Sequence, residues 1–390
     1  MDVRFTPEQE AWREEVIAFL RQEITPAFRE EFEQEDAAVS YGSRAFSRKL
    51  AERGWLTLHW PREYGGQERS FIDQAILNEQ LGYFQAPTGS HNMAVNQVGV
   101  PLIQFGTPEQ KARFLPRIAS HEIRFGQAFT EPEAGSDLAS LKTTALRDGD
   151  AYVVNGLKVF ISSAHRCEYL WLLARTDPSA ARHHDLSVFV VDVNTPGIRL
   201  RGVPTINHGR VNDVYFEEVR VPAENLIGPE HGGWQLAMTT LNIERSGVYG
   251  VAHDQTLLAD LIAFARETER GGRRLADDPL VRHRIAWAAT ELEAQRMLSW
   301  RVAWLQSQGQ VPSTEASLQS LRRRVFEHEF ANFAMDLLGL YGQLARGSPW
   351  ARLRGQVERL YLNSCSQHAG GTTEIQKNII VLRGLELPRR

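Results

Sequence analysis

The sequence predicts an α+β chain in three blocks: a helical region over 1–120, an antiparallel β region over 121–228 and a helical region over 229–390. Three observations carry this. Apolar residues recur at helical spacing in the first block. They alternate or cluster in short β-branched and aromatic runs in the second. Long periodic stretches return after the glycine-rich segment Gly228 to Trp234.

The first helix is announced by Thr6-Pro7-Glu8-Gln9, which combines an N-cap hydroxyl, a proline at the first helical position and a glutamine three residues on. Trp12, Val16, Phe19 and Leu20 then mark one face. The same four residues recur at Thr107 to Gln110 before a second amphipathic run, a repeated cap rather than an internal repeat. Segments 123–130, 151–161, 169–175, 186–193 and 213–221 read as strands, with Asn155-Gly156 as a hairpin turn. No long helical crossovers separate them, which favours antiparallel pairing. Stretches 234–264, 279–306 and 318–338 read as long helices, the first pair broken at 269–279.

The chain of 390 residues carries a formal charge of -4, so bulk electrostatics point to no nucleic-acid partner. It opens on charged residues without an apolar signal core, and no run has the length to span a bilayer. Cys167 and Cys365 form no CxxC and no disulfide framework; they are expected as reduced, mostly buried thiols of a cytoplasmic protein. His183-His184-Asp185 has no second ligand pair at useful spacing and reads as a solvated loop rather than a metal site. Trp300 and Trp304, one helical turn apart, read as core or interface.

Three stretches go beyond architecture. Thr130-Glu131-Pro132-Glu133-Ala134-Gly135-Ser136-Asp137 leaves a strand as a bent polar loop that presents its N–H groups. Lys158-Val159-Phe160-Ile161-Ser162 ends the next long strand. Gly370-Gly371-Thr372-Thr373-Glu374-Ile375-Gln376 lies near the C-terminus. Together they resemble the TEPxAGSD, KxWIT and EGTSQIQ signatures of the acyl-CoA dehydrogenases, and the likeness covers nearly the whole chain, including the helix–β–helix order.

The resemblance implies a fold with an N-terminal all-α domain, a middle antiparallel β domain and a C-terminal four-helix bundle, holding FAD between the middle domain and the C-terminal helices. It puts Gln127, Phe129, Thr130, Phe160, Ile161 and Ser162 against the flavin ring. Phe160 replaces the usual tryptophan with a smaller ring; the alternative is that Phe129 and Phe160 are β-core residues. Ser136 would meet the CoA or FAD phosphates or the pantetheine. Thr372 and Glu374 would contact FAD, Glu374 through its backbone or a cofactor hydroxyl, because its charge is unfavourable beside a phosphate. Asn242, Arg245, Gly371 and Ser136 fall on the substrate side.

Two family motifs that serve a neighbouring subunit are altered. Thr268-Glu269-Arg270-Gly271-Gly272 stands for RxxFG, leaving Arg270 or Arg273 to reach a phosphate. Asp336 to Gly342, with Gly339, stands for QxxGGxG.

The implied reaction removes an α-proton from an acyl-CoA thioester while the β-hydrogen leaves as hydride to the flavin. It needs a carboxylate with a raised pKa and donors for the developing enolate oxygen. The usual acid of EGT is absent: Gly370 stands there. One branch of the family carries the base on a helix directly before an arginine, and Leu241-Asn242-Ile243-Glu244-Arg245 matches it, so Glu244 is the candidate base; the alternative is an ordinary solvated ion pair. Gly370 would keep its backbone N–H for the thioester oxygen. The implied partners are an acyl-CoA, an electron-transfer flavoprotein and sister subunits of a homotetramer or hetero-oligomer. An O₂-using oxidase or monooxygenase, and a non-catalytic subunit of a hetero-oligomer, stay open as alternatives.

Overall fold

Both Thr-Pro-Glu-Gln segments start helices with full capping boxes. Thr6 and Thr107 accept the N–H of Gln9 and Gln110, whose side chains return a bond to the cap backbone. The computed structural model describes residues 4–35, 42–89, 91–242, 246–365 and 370–388. Helices α1 (Pro7–Glu23), α2 (Pro26–Glu35), α3 (Arg44–Glu52), α4 (Phe71–Tyr83), α5 (Val100–Phe105) and α6 (Pro108–Ala119) precede the sheet. After it come α7 (Gly233–Asn242), α8 (Val248–Glu267), α9 (Pro279–Ser307), α10 (Ser313–Leu338), α11 (Gln356–Ser364) and α12 (Thr373–Ile379). The expected single helix over 234–264 is therefore two, α7 and α8. Gly247, at φ +67°, is the left-handed residue that opens the second.

The helices and strands gather into two units. One comprises Met1–Ala37, Ser70–Ala86 and Glu244–Arg390. Its core is the bundle of α8, α9, α10 and α11, filled by Leu257, Leu261, Leu292, Phe326, Phe330, Leu337 and Val357. Burying such side chains contributes about 1.5–3 kcal/mol each. One buried acid of this unit is paired: Glu79 of α4 accepts from Arg296 Nε and from Trp300 Nε1, each at 2.8 Å.

The other unit comprises Ala38–Arg69 and Pro87–Ile243 and holds an eight-stranded sheet. Its strands are β1 (Phe125–Ala128), β2 (Thr144–Asp148), β3 (Ala151–Ile161), β4 (Tyr169–Arg175), β5 (Leu186–Asp192), β6 (Ile198–Pro204), β7 (Arg210–Pro222) and β8 (Leu226–Ile227). The order is β6-β7-β3-β2-β4-β5-β8, with β1 also beside β4. Most pairs are antiparallel, but β1 and β2 both run parallel to β4. They lie in line along it, Ala128 facing Leu172 and Thr144 facing Arg175. β4 and β5 are buried almost throughout, which explains their near-continuous apolar runs, broken inside β5 only by Ser187. Asn155-Gly156 is not a turn. It lies inside β3, where the pairing with β7 slips by one residue. Gly156 fits this bulge at φ +154°, because a Cβ there would collide with Thr143. The hairpin turns instead at Gly149, φ +64°.

Cys167 is buried, and burial pushes its thiol up to about 12; Cys365, expected to be buried, is exposed. Among the described residues no helix is long and apolar enough to cross a membrane.

Two histidines are packed into the sheet-bearing unit. The rings of His91 and His121 meet edge to face at 6.2 Å, and Ser47 Oγ lies 3.1 Å from His91 Nδ1. His121 is 0 % exposed. Burial, then the charges of Arg44, Arg124 and Arg48, lowers it to about 4; burial and His121 lower His91 to about 3. The unfolded chain therefore binds these protons first, near the ordinary histidine value. Stability is fully present above that value and falls as pH drops from about 6.5 towards 4. His121 sits at φ +54°, a conformation asparagine also accepts. His121→Asn is expected to flatten the acid slope of unfolding free energy by up to ~1.4 kcal/mol per pH unit, read from urea titrations between pH 7.5 and 5.

Candidate active site

β1 ends at Ala128 and β2 begins at Thr144, and residues 129–143 leave the sheet between them as a loop. Its start is fixed by a buried ion pair. Lys158, on β3, is 0 % exposed and Glu131 6 %. Lys158 Nζ donates to Glu131 Oε1 at 2.8 Å and to Phe129 O at 2.9 Å. The carboxylate also accepts Lys142 N at 2.6 Å and Thr143 N at 2.9 Å, so one acid ties both ends of the loop to β3. Val159 N donates to Thr130 O at 2.9 Å.

Burial pushes the Glu131 carboxyl up, but Lys158, Thr143 and Lys142 outweigh it and hold the group below the usual range. Burial pulls Lys158 down to about 8 against the pull of Glu131. The pair is ionic at neutral pH. Farther along the loop, Arg175 Nη2 donates to Ala139 O at 3.1 Å and Leu141 O at 3.0 Å while its other end pairs with buried Asp185. Arg182 pairs with Asp137.

This bracing brings the first two signatures together. Gln127 lies on β1 with its Nε2 buried and without a hydrogen-bond partner. Phe129 is buried and Thr130 half-buried. At the end of β3, Phe160 stands 62 % exposed at φ +61°, Ile161 turns into the core and Ser162 is exposed. Phe160 is therefore no β-core residue, whereas Phe129 is enclosed. Ser136 is exposed at the outer part of the loop. His183, expected in a solvated loop, packs its ring against Trp234, the centroids 4.3 Å apart and the planes tilted by 51°, and among the described residues no acidic, His or Cys cluster could hold a metal.

Arg270, Gly339, Gly370, Gly371, Thr372 and Glu374 lie in the helical unit. Glu269–Arg270 and Arg273–Arg274 form a small hairpin turned by Gly271 and Gly272. Arg270 Nη2 donates to Leu337 O at 3.0 Å, beside Gly339 at φ +59°. Thr372 caps α12, its Oγ1 accepting Ile375 N at 3.2 Å, and Glu374 is exposed in the first turn. Gly370 and Gly371 both have left-handed φ, +73° and +98°. Arg324 donates to Gly371 O. Gln376 Nε2 donates to Gly370 O at 3.0 Å and lies 3.4 Å from Gly371 O. Glu244, Arg245 and the side chain of Asn242 lie outside the described residues.

Sequence reasoning placed Lys158 and Glu131 in the signatures without their pairing; a lysine at an inward strand position among apolar neighbours is the signal that a buried acid must face it. Gln376, Arg324 and the Arg175–Asp185 brace gave no comparable signal.

A strand-braced polar loop, an exposed aromatic and a clamped diglycine turn, set within a helix–sheet–helix order, match known proteins along the whole chain. The description "Acyl-CoA dehydrogenase, N-terminal domain" fits residues 6–122, "middle domain" residues 126–219 and "C-terminal domain" residues 231–385. The chain belongs to the acyl-CoA dehydrogenase family, whose members are FAD-dependent flavoprotein oxidoreductases. Acyl-CoA dehydrogenase FadE26 of Mycobacterium tuberculosis is 36% identical over 100% of this chain and 99% of its own. The steroid ACAD Tcur3481-Tcur3483 superposes with a TM-score of 0.90 at 33% identity, all of both chains being covered. The ChsE4-ChsE5 complex from Mycobacterium tuberculosis does so at 0.90 and 35%, with the same coverage.

The residues present fit the cofactor. Gln127 Nε2 is a buried donor lacking an acceptor, of the kind a flavin carbonyl supplies, and Phe160 offers a free aromatic face. Lys158→Met would strand a buried carboxylate, which costs about 3–5 kcal/mol, and unpin the loop. It is expected to lower the urea midpoint and release FAD. Glu131→Gln combined with Lys158→Met should recover part of the stability, as a double-mutant cycle would measure.

Proposed function

We propose that this chain catalyses α,β-dehydrogenation of an acyl-CoA thioester whose acyl group is a bulky, ring-bearing one, and passes its electrons to an electron-transfer flavoprotein. The observation that carries the reading is the Lys158–Glu131 pair with the Val159–Thr130 bond, which joins the two flavin signatures into one edge. Full-length likeness to a protein described as a steroid ACAD supports the substrate class. A relative 31% identical over 85% of this chain, the CarC subunit of a caffeyl-CoA reductase-Etf complex, supports the acceptor.

In this reading Glu244 takes the α-proton and the C–H electron pair becomes the new double bond. FAD supplies the sink for the β-hydrogen, which departs as hydride. Gly370 donates its N–H to the thioester oxygen as charge develops there, a contribution that needs no side chain. Gln127, Thr130, Phe160 and Ser162 bind the flavin ring, and Phe129 and Ile161, whose side chains are buried in the sheet unit, serve it through their backbone. Thr372 and Glu374 hold more distant parts of the cofactor, and Arg270 and Gly339 line a phosphate-bearing part. Ser136, Asn242, Arg245 and Gly371 contact the CoA thioester. Gly370 can adopt its left-handed φ without the steric penalty a side chain would bring.

We assign the chain to an oligomer in the cytoplasm. The ChsE4-ChsE5 complex favours a second, related chain as partner over the simple homotetramer.

Glu244→Gln should leave FAD bound and slow flavin bleaching by acyl-CoA about 10²–10⁴-fold in anaerobic stopped flow. Bleaching at the wild-type rate would remove Glu244 as the base. A dye-reduction screen across short, branched, long and ring-bearing acyl-CoAs should show its highest kcat/KM with the ring-bearing class. Peroxide formed in air without an added acceptor would instead mark an oxidase.

A further inference from the structure

The turn Gly370–Gly371 is held by side chains, not by regular structure. Gln376 is 2 % exposed, and its Nε2 reaches Gly370 O at 3.0 Å and Gly371 O at 3.4 Å. Arg324, from α10, donates to the second of those carbonyls. The orientation of the Gln376 amide follows from chemistry. Both neighbours are carbonyl oxygens, which only accept, so the NH₂ must face them. Its Oε1 then points away, buried and without a hydrogen-bond partner. A buried amide oxygen without a donor costs about 1–3 kcal/mol, so native structures rarely leave one unmet. Gly371 completes the fit, because a Cβ there would come 3.0 Å from Gln376 Nε2.

We propose that Gln376 is a positioning residue for the dehydrogenase site. Its NH₂, with Arg324, sets the peptide planes of Gly370 and Gly371, and its Oε1 accepts a hydrogen bond from a polar hydrogen of the bound ligand. That hydrogen comes either from a hydroxyl of FAD or from an amide N–H of the CoA pantetheine. The inference rests on the dehydrogenase reading above and adds to it a residue outside the Gly370–Glu374 contacts. Arg322, Arg323 and Arg324 form a consecutive basic run, and the structure gives each a separate task. Arg322 pairs with Glu291, Arg323 with Asp254 and Glu327, and Arg324 alone serves the turn.

The full chain, in the oligomer it purifies as, tests this with two variants and two titrations. Gln376→Met keeps the volume and removes donor and acceptor; Gln376→Glu keeps the acceptor and sets a carboxylate against two carbonyls. FAD is titrated into the apoprotein by fluorescence quenching. A non-reactive thioether analogue of an acyl-CoA is titrated into the holoprotein by the flavin spectral shift. Both variants should weaken one of the two affinities by about tenfold or more, as expected for lost hydrogen bonds at ~1 kcal/mol each, while apoprotein melting stays within about 2 °C. Loss in the FAD arm assigns the donor to the cofactor, and loss only in the analogue arm assigns it to the pantetheine. Both affinities within about twofold of wild type overturn the proposal, as does a loss that tracks lowered melting in Gln376→Met, Gln376→Glu and Arg324→Met alike, which means a structural role only. A wild-type chain that takes up no FAD removes the dehydrogenase reading itself, and this assignment with it.

Discussion

The loop between β1 and β2, which carries the first of the three signatures, depends on one buried ion pair. The Glu131 carboxylate accepts three hydrogen bonds, from the ammonium of Lys158 and the backbone N–H groups of Lys142 and Thr143. The loop between β1 and β2 has no regular structure of its own beyond a short 3-10 turn at Leu138–Ser140. Other bonds reach the sheet from each end singly, Val159 N to Thr130 O and Arg175 N to Thr143 O, each at 2.9 Å, but the carboxylate is what links the two ends to each other and to Lys158. A hydrophobic pair of the same volume could be as stable, since burying two charges is costly. It could not, however, fix Phe129 O, Lys142 N and Thr143 N at once. Directional bonds, not net stability, explain why the charges are there.

The C-terminal turn solves a related problem by different means. A carboxylate at position 370 would bring its own anchoring bonds; glycine brings none. Two consecutive residues with left-handed φ are conformationally open in the unfolded chain, so ordering them costs more than it would for other residues. Gln376 and Arg324 offset that cost by binding the two carbonyls. Freedom at the glycines and restraint at their carbonyls are complementary. The first lets the backbone approach a ligand closely, and the second keeps it from wandering.

Much of the architecture was legible because it is local. The Thr-Pro-Glu-Gln caps were readable from four residues each, and the apolar runs of β4 and β5 from seven. Asn155-Gly156 misled, because a dipeptide that suits a turn suits a bulge as well, and only the partner strand decides between them. The split between α7 and α8 was hidden by apolar periodicity that continues across Gly247. The site was legible as motifs and not as bonds: the sequence shows Lys158 and Glu131 27 residues apart, and nothing in their spacing says they touch. Gln376 and Arg324 act across 47 residues or through a side-chain orphan that only coordinates reveal. The chemistry that departs most from the family pattern, the acid missing at Gly370, was the most readable of all, because an absence in a motif needs no structure to be seen.

The end of β3 shows how backbone irregularity exposes an aromatic ring. Along the strand Tyr152, Val154 and Lys158 face inward, so an uninterrupted alternation would bury Phe160 as well. The pairing with β7 slips again between Lys158 and Ile161, and Phe160 takes φ +61°. The slip reverses the alternation: Ile161 enters the sheet core, and Phe160 stands out into solvent. A phenylalanine in the left-handed region costs on the order of 1–2 kcal/mol, and exposing its ring forgoes a burial worth about as much again. Packing alone would favour the regular strand. A strained, exposed aromatic is therefore held there against local preference, one residue beyond the Val159–Thr130 bond that joins β3 to the loop.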